Sequence, residues 1–403
     1  MAAPLSNIRV LDMSRVLAGP WAGQLLGDYG ADVVKIERPG AGDDTRQWGP
    51  PWLDNDTGGE SAYYLSTNRN KRSVTVDLTK KQGQQVIRDL VARADVLLEN
   101  FKVGTLQRFG LGPSELTRIN PRLIYCSISA YGPTGSKALQ PGYDAMIQAS
   151  AGLMSITGAT DEDNGRPQKV GVAIADIMAG MYATTAVLAA LNARAQSGVG
   201  QHIDVPLYDS QVAWLANQAM NFLVGGQVPA RMGNAHPNLV PYQTFATSDG
   251  ELMLAVGNDK QFAACAECIG EPELALDERF RENRDRIANR AALIAQLASI
   301  FAKRTTTEWL QALAAGGVPA GPINDIQEVL SGRYAKERDL VRHLANSQGK
   351  DIPTVANPVA FGSTPVEYAK SPPLLGEHTD EVLREWLGYS DALIAELRQS
   401  AAL

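Results

Sequence analysis

One carboxylate stands alone in the least polar stretch of this chain. From Val170 to Leu191 the only charged residue is Asp176, within GVAIADIMAG at 171–180. An isolated acid in such surroundings has two uses. As a helix N-cap it accepts hydrogen bonds from the first free N–H groups and complements the dipole. As a nucleophile it exploits the same geometry, because a carboxylate held by backbone N–H groups stays ionised in an apolar site. The residue alone leaves both open. The segment that follows, IMAGMYATTAVLAALNARAQSG, predicts a long helix that begins near Asp176. Ile177, Met181, Thr184, Leu188 and Leu191 fall on one stripe, and Gly198 is its stop signal.

The other reactive side chains say less. Three cysteines, Cys126, Cys265 and Cys268, cannot frame a disulfide scaffold in 403 residues. The single C-A-E-C has no second pair and reads as packing inside a helix, so no metal site is expected.

The elements that must position Asp176 repeat one grammar. IRVLDM, ADVVKIE, DVLLEN and PRLIYCSIS read as strands, and GPWAGQLLGDYG and GQQVIRDLVARA as helices between them. Short apolar runs alternating with helical patterns predict βαβ units and a mostly parallel sheet, so the fold class is α/β. Ligands in such sheets gather at the carboxyl ends of the strands, which makes SRVLAGP, ERPGAGDDTR, ENFKVG and SAYGPTG rims of one site. None of these is G-x-G-x-x-G or a P-loop, so a dinucleotide or nucleoside-triphosphate site has little support.

Near residue 225 the texture changes. TSDGELMLAVGND resembles a hairpin, 260–315 reads as successive helices, and GGVPAGPIND breaks the pattern as a linker would. The tail carries strand-like VEY and a closing helix at TDEVLREWLG. The expected division is a large domain with its N-terminal part at 1–225, a smaller inserted α+β domain at 226–318, and a linker and C-terminal return at 319–403.

Charge and hydropathy exclude several partners. Lys and Arg number 37 against 44 Asp and Glu, a formal −7, so no basic surplus exists to neutralise nucleic-acid phosphates or an anionic membrane. The 170–191 stretch approaches spanning length, but Asp176, two glycines and three hydroxyl side chains favour a buried helix. The opening MAAPLSNIRVLDM has neither a signal h-region nor an amphipathic leader, from which a cytoplasmic location is expected.

Several blocks taken together resemble one family. VLDMSRVLAGPWAGQLLGDYGADVVKIERPG, NRNKRS, VLLENFKVGTLQRFGLG, SISAYGPTG, GYDAMIQASAGLMSITG, the Asp176 segment, VPAGPIND and PPLLGEHT occur in the order seen in family III (CaiB/BaiF-type) CoA-transferases, the group that includes formyl-CoA transferase. GAGDDTRQWGPP, YYLSTNRNKRSVTVDL and AHPNLVPYQTF resemble most its succinate-hydroxymethylglutarate (glutarate) branch. The resemblance implies that the large domain is Rossmann-like and that two chains form an interlocked, ring-like homodimer. It implies a CoA thioester as substrate, no permanently bound cofactor, and a small dicarboxylate acceptor such as glutarate, 3-hydroxy-3-methylglutarate, itaconate or mesaconate, with succinyl-CoA as donor.

The resemblance also assigns residues. Asp176 takes the catalytic position, where its carboxylate attacks the thioester to give covalent acyl and CoA intermediates. CoA contacts fall on Val16, Ala18, Arg38, Asn100, Phe101 and Arg108, with Lys71 and Arg72 joining them. Guanidinium groups there would clamp phosphates, and the ring would support adenine. Arg46 and His236 are the candidates to face the acceptor's distal carboxylate. Tyr143 stands in GYD, where the related α-methylacyl-CoA racemases have GHD, so Asp176 would lack a racemase's second acid/base group. Gly257 and Asn258 begin GNDKQF, in the place of a glycine-rich lid. A CoA-binding protein without activity is disfavoured by the retained Asp176, and an NAD(P)-dependent oxidoreductase by the missing glycine fingerprint.

Overall fold

The computed structural model describes residues 2–55 and 59–403. Six strands form the main sheet: β1 (Arg9–Asp12), β2 (Asp32–Glu37), β3 (Lys71–Thr75), β4 (Val96–Glu99), β5 (Ile124–Ser129) and β6 (His202–Pro206). Their order is β3-β2-β1-β4-β5-β6, and every neighbouring pair is parallel. The expected α/β class with a parallel sheet is therefore observed.

Both faces of this sheet are covered, which is why its strands read as apolar runs rather than alternating ones. Leu11, Val34, Leu97 and Tyr125 point to one face, where they join Ile87 and Leu90 of a helix at Lys81–Val91. That helix is α2, and α1 (Ala18–Asp28) lies on the other face. There Val10, Val33, Leu98 and Cys126 pack with Ala22 and Leu26 of α1. The order of the strands reverses between β1 and β4. Connections leave in opposite directions at that point, so the turns after β1 and β4 separate and open a crevice.

Further helices of this part include α3 (Asp144–Ser150), α4 (Ile174–Ser197), α5 (Leu207–Ala213) and α6 (Ala216–Gly225). Helix α4 is long and apolar enough to cross a membrane by length and composition alone. It packs as a core helix against α1, β5, β6 and α5. Its buried stripe differs from the expected one. Ala175, Ala179, Gly180, Ala183, Thr184, Val187 and Ala190 are buried, whereas Met181 and Leu188 are exposed. Close approach explains the choice: a Cβ on Gly180 would stand 2.5 Å from the Ala18 carbonyl oxygen. Small side chains let the backbones meet, and bulk is turned outward.

Contacts divide the chain into two units, residues 1–153, 170–226 and 335–403 in one and 154–169 with 227–334 in the other. Residues 154–169 and 319–334 thus cluster with the middle of the chain rather than with its ends. In the second unit, β7 (Tyr242–Ala246), β8 (Glu251–Ala255) and β9 (Ala320–Pro322) form an antiparallel sheet. Helices α7 (Asp259–Cys268), α8 (Arg290–Phe301) and α9 (Thr306–Ala315) enclose Phe245, Leu254, Phe262, Phe301 and Trp309 with it. Cys265 is buried in α7.

The C-terminal return joins the first unit. Hairpin strands β10 (Val341–Ala345) and β11 (Asp351–Val355) precede α10 (Thr379–Leu387) and α11 (Asp391–Gln399). Val382, Trp386 and Ile394 of these helices complete the core beside Leu11 and Val34. VEY, expected as a strand, lies in irregular chain. There the Glu367 carbonyl accepts from Asn70 Nδ2 at 2.8 Å, a side-chain contact in place of a ladder.

Candidate active site

The crevice between the turns after β1 and β4 opens into a cavity of about 680 Å3. Val16, Ala18, Asn100, Phe101, Arg108, Tyr143 and Asp176 all line it. Seven residues drawn from five separate stretches of sequence therefore share one wall.

Asp176 sits in the first turn of α4 but does not cap it. Asp144 does. Its Oδ1 accepts the N–H of Ala175 at 2.7 Å and the N–H of Asp176 at 3.3 Å. Its Oδ2 accepts from Gln148 Nε2 at 2.7 Å, and Gln148 Oε1 accepts the Val170 N–H at 2.9 Å. The N-cap residue itself is Ala173, which has no side chain for the task. With the helix end satisfied from outside, the Asp176 carboxylate makes no hydrogen bond or ion pair among the described residues.

That changes its electrostatics. The expectation that backbone N–H groups keep Asp176 ionised is not met. Burial, and then the negative Asp144 beside it, push its pKa up to about 7. A half-buried, unpartnered carboxylate that titrates near neutrality is a stronger nucleophile than a hydrogen-bonded one. Tyr63 lies in the same field: burial, then Asp176, Asp144 and Asp43, raise its phenol to about 12.

The comparisons with known proteins identify the family. A family model described as CoA-transferase family III matches residues 5–379. The chain belongs to CoA-transferase family III. It is 47% identical over 384 residues to a succinate-glutarate CoA-transferase of Agrobacterium fabrum, covering 95% of each chain. It is 42% identical to a succinyl-CoA:glutarate CoA-transferase of Homo sapiens, covering 98% of this chain and 88% of that one. Among solved structures, a CAIB/BAIF family protein from Brucella suis superposes with a TM-score of 0.83 at 46% identity, covering 96% of this chain and all of that one (100%). Rv3272 from M. tuberculosis gives 0.84 at 36% identity, covering 94% and 99%. The protein is a CoA-transferase.

Within this CoA-transferase, the remaining expected residues separate into two groups. Arg38 is exposed and lines a second cavity of about 190 Å3, which shares Arg15, Asp44 and Phe101 with the first. Arg15 stacks over the Phe101 ring at 5.1 Å and pairs with Asp44 at 3.3 Å. Asn100 ties the two turns together, accepting from the Arg15 N–H at 2.8 Å and donating to the Arg15 carbonyl at 2.7 Å.

Lys71 and Arg72 belong to the other group and do not line either cavity. Both lie on β3, and the sheet turns them into ion pairs. The Lys71 ammonium donates to Asp12 at 2.9 Å, to the Pro20 carbonyl at 2.8 Å and to Asn68 at 2.9 Å, with no exposed surface (0%). Arg72 is divided among Asp32, Glu381 and Glu385. Neither guanidinium nor ammonium is left for a phosphate.

Arg46 is likewise spent. It pairs with Glu37 at 2.7 Å and Glu60 at 2.9 Å, donates to Tyr64 and the Pro373 carbonyl, and is 6% exposed. Its charge is neutralised inside the protein, so it is not the acceptor's cation. In the second unit, His236 Nδ1 accepts the Asn238 N–H at 3.0 Å. Burial and Arg290 hold its pKa below the ordinary histidine value, which makes it a neutral donor rather than a positive partner. The GNDKQF segment is a built helix start: Asn258 accepts from the Gln261 N–H at 2.9 Å, and the Gly257 N–H donates to Gln261 Oε1 at 2.8 Å.

Asp144 and Gln148 are the functional residues that pattern reading missed. The available signal was an Asp beginning a helix with Gln four residues later in DAMIQ, but its target helix starts 30 residues on.

Proposed function

We propose that this enzyme moves CoA from succinyl-CoA to glutarate through covalent intermediates on Asp176. The observation that carries the reading is the unpartnered Asp176 carboxylate on the wall it shares with the turns after β1 and β4. The names of the relatives at 47% and 42% identity support the donor and the acceptor. Other C4 to C6 dicarboxylates, including 3-hydroxy-3-methylglutarate, itaconate and mesaconate, are the competing acceptors.

The chemistry conserves the thioester's energy. The Asp176 carboxylate attacks the succinyl carbonyl and expels CoA thiolate, leaving a mixed anhydride. The thiolate attacks the Asp176 carbonyl, releases succinate and forms an aspartyl thioester. A glutarate carboxylate then attacks that thioester, expels thiolate again, and the thiolate takes the glutaryl group from the second anhydride. Each anhydride is prone to hydrolysis, which is the reason for an apolar surround. Arg38 and Arg108 are assigned to the CoA phosphates and Phe101 to the adenine. CoA enters as substrate, with no resident cofactor.

The working unit in this reading is the interlocked homodimer. Helix α6 supports it, since Met220, Phe222, Leu223 and Val224 are 54%, 47%, 71% and 80% exposed and none of its residues is buried. Large apolar side chains left exposed along a whole helix mark a surface that a second chain covers. A cytoplasmic location, without nucleic-acid or membrane partners, completes the proposal.

The deciding experiment is mass spectrometry of the intact protein with succinyl-CoA and no acceptor, followed by hydroxylamine or borohydride. Modification of Asp176 is expected. Asp176→Ala remains unmodified and loses transfer by roughly 10^6-fold while still binding CoA. Transfer that proceeds with Asp176 unmodified would overturn the nucleophile.

A further inference from the structure

The cavity wall that includes Asp176 also includes a residue in a conformation its side chain resists. Val16 has a φ of 72°. A β-branched residue avoids this left-handed region because its branched Cβ crowds the backbone. Such strain persists only where the surroundings over-determine it.

The restraint comes from a buried ion pair. The Val16 N–H lies 3.2 and 3.3 Å from the two oxygens of Asp43. Asp43 Oδ2 accepts from Lys35 Nζ at 2.8 Å, and Oδ1 accepts the Thr45 N–H and hydroxyl at 3.0 and 2.8 Å. The same ammonium donates to the Ser14 carbonyl at 2.9 Å. One pair thus grips the turn on both sides of Arg15, while Asn100 holds Arg15 itself. Burial would raise the Asp43 pKa, yet Lys35 and Thr45 pull it below the carboxylate range, so the clamp stays charged.

Stability does not explain this arrangement. Both side chains are 0% exposed, and a fully buried pair is commonly matched or exceeded by apolar residues of the same size. Neither side chain lines the large cavity. Their effect reaches it through Val16, because relaxation of that residue to an ordinary φ would swing the following Leu17 and Ala18, which do line it.

We propose that Lys35 and Asp43 are positioning residues that lock Val16 in its left-handed geometry and so shape the wall at 15–18 for the CoA thioester. The proposal rests on the reading that this cavity takes the thioester.

Asp43→Asn keeps the size and an acceptor for Val16 but removes the charge opposite Lys35. Hydrogen exchange at 14–18 is expected to quicken, and KM for succinyl-CoA to rise by about tenfold or more with a smaller change in kcat. Adding Val16→Gly should recover much of that loss, since glycine adopts positive φ without the clamp. Unchanged exchange at 14–18, or strictly additive effects of the two substitutions, would overturn the proposal. If Asp43→Asn does not fold, Val16→Pro replaces it as the test, because proline holds φ near about −65° and has no N–H for Asp43. A folded Val16→Pro enzyme with wild-type KM overturns the proposal, and a raised KM supports it. Failure of the functional reading shows separately, as absence of CoA binding by the unaltered protein, while the exchange result still decides the clamp.

Discussion

Asp144 Oδ1 lies 2.7 Å from the N–H of Ala175 and 3.3 Å from that of Asp176, so the acid that caps α4 is the neighbour of the proposed nucleophile. The two carboxylates divide the roles that a single one was expected to combine. Asp144 neutralises the helix end. Asp176, relieved of that duty, is left basic and exposed to the cavity.

The division has a pH signature. Only ionised Asp176 attacks a thioester, and its pKa of about 7 places the acid limb of kcat/KM for the acyl-CoA near neutrality. Activity should rise with pH through that limb. Asp144→Asn keeps an oxygen for the two N–H groups but removes the like charge, so the limb moves to lower pH. A profile unmoved by Asp144→Asn would assign the raised pKa to burial alone.

Arg46 offers a test of structural against substrate roles. Arg46→Ala leaves the buried Glu37 and the half-buried Glu60 without their cation, at a cost of about 3–5 kcal/mol. Thermal unfolding should register this loss, without a selective rise in KM for glutarate. A variant with wild-type Tm and a raised glutarate KM would restore Arg46 as an acceptor contact.

Glu99 makes stability fall as pH rises. It is buried at the end of β4, and burial lifts its pKa to about 7, partly offset by Ser127 and the Phe101 N–H. The folded state therefore holds a proton that the unfolded state releases between the ordinary glutamate value and about 7. Across that window wild-type stability should fall, by up to about 3 kcal/mol from this group. Glu99→Gln removes the effect. Its Tm should match wild type near pH 5 and exceed it near pH 8, and a constant difference would show that Glu99 is ionised throughout.

Gly180 tests the close approach of α4 to α1. In Gly180→Val the added Cβ would stand 2.5 Å from the Ala18 oxygen and 3.2 Å from Trp21, so the helices must separate. Stability should fall by about 1–3 kcal/mol. Because Ala18 lines the cavity, KM for succinyl-CoA should rise with it, whereas Leu188→Ala on the exposed face should change neither.

Local patterning was a good guide where local forces decide. β1, β2, β4 and β5 fall within IRVLDM, ADVVKIE, DVLLEN and PRLIYCSIS, because a strand buried on both faces must be a short apolar run. Helix α4 ends at Gly198 as its sequence requires. Its inward face did not follow from hydropathy, since the larger apolar residues Met181 and Leu188 yielded the interior to alanine and glycine.

The alternation of strands and helices, the carboxyl ends of the strands as the place for a ligand, and Asp176 as the anomalous acid were all legible in the amino-acid order. Those depend on residues close in the chain. Which charges are free is settled by long-range packing. Arg46, Lys71 and Arg72 had the composition of a phosphate or carboxylate site, yet each is paired with acids reaching it from elsewhere, Lys71 with Asp12 across 59 positions and Arg72 with Glu385 across 313. Strand register and helix docking bring those partners together, and a buried cation must find an acid or lose its charge. The same long-range packing hands the cap of α4 to Asp144 and leaves the Asp176 carboxylate on the cavity wall for its proposed role.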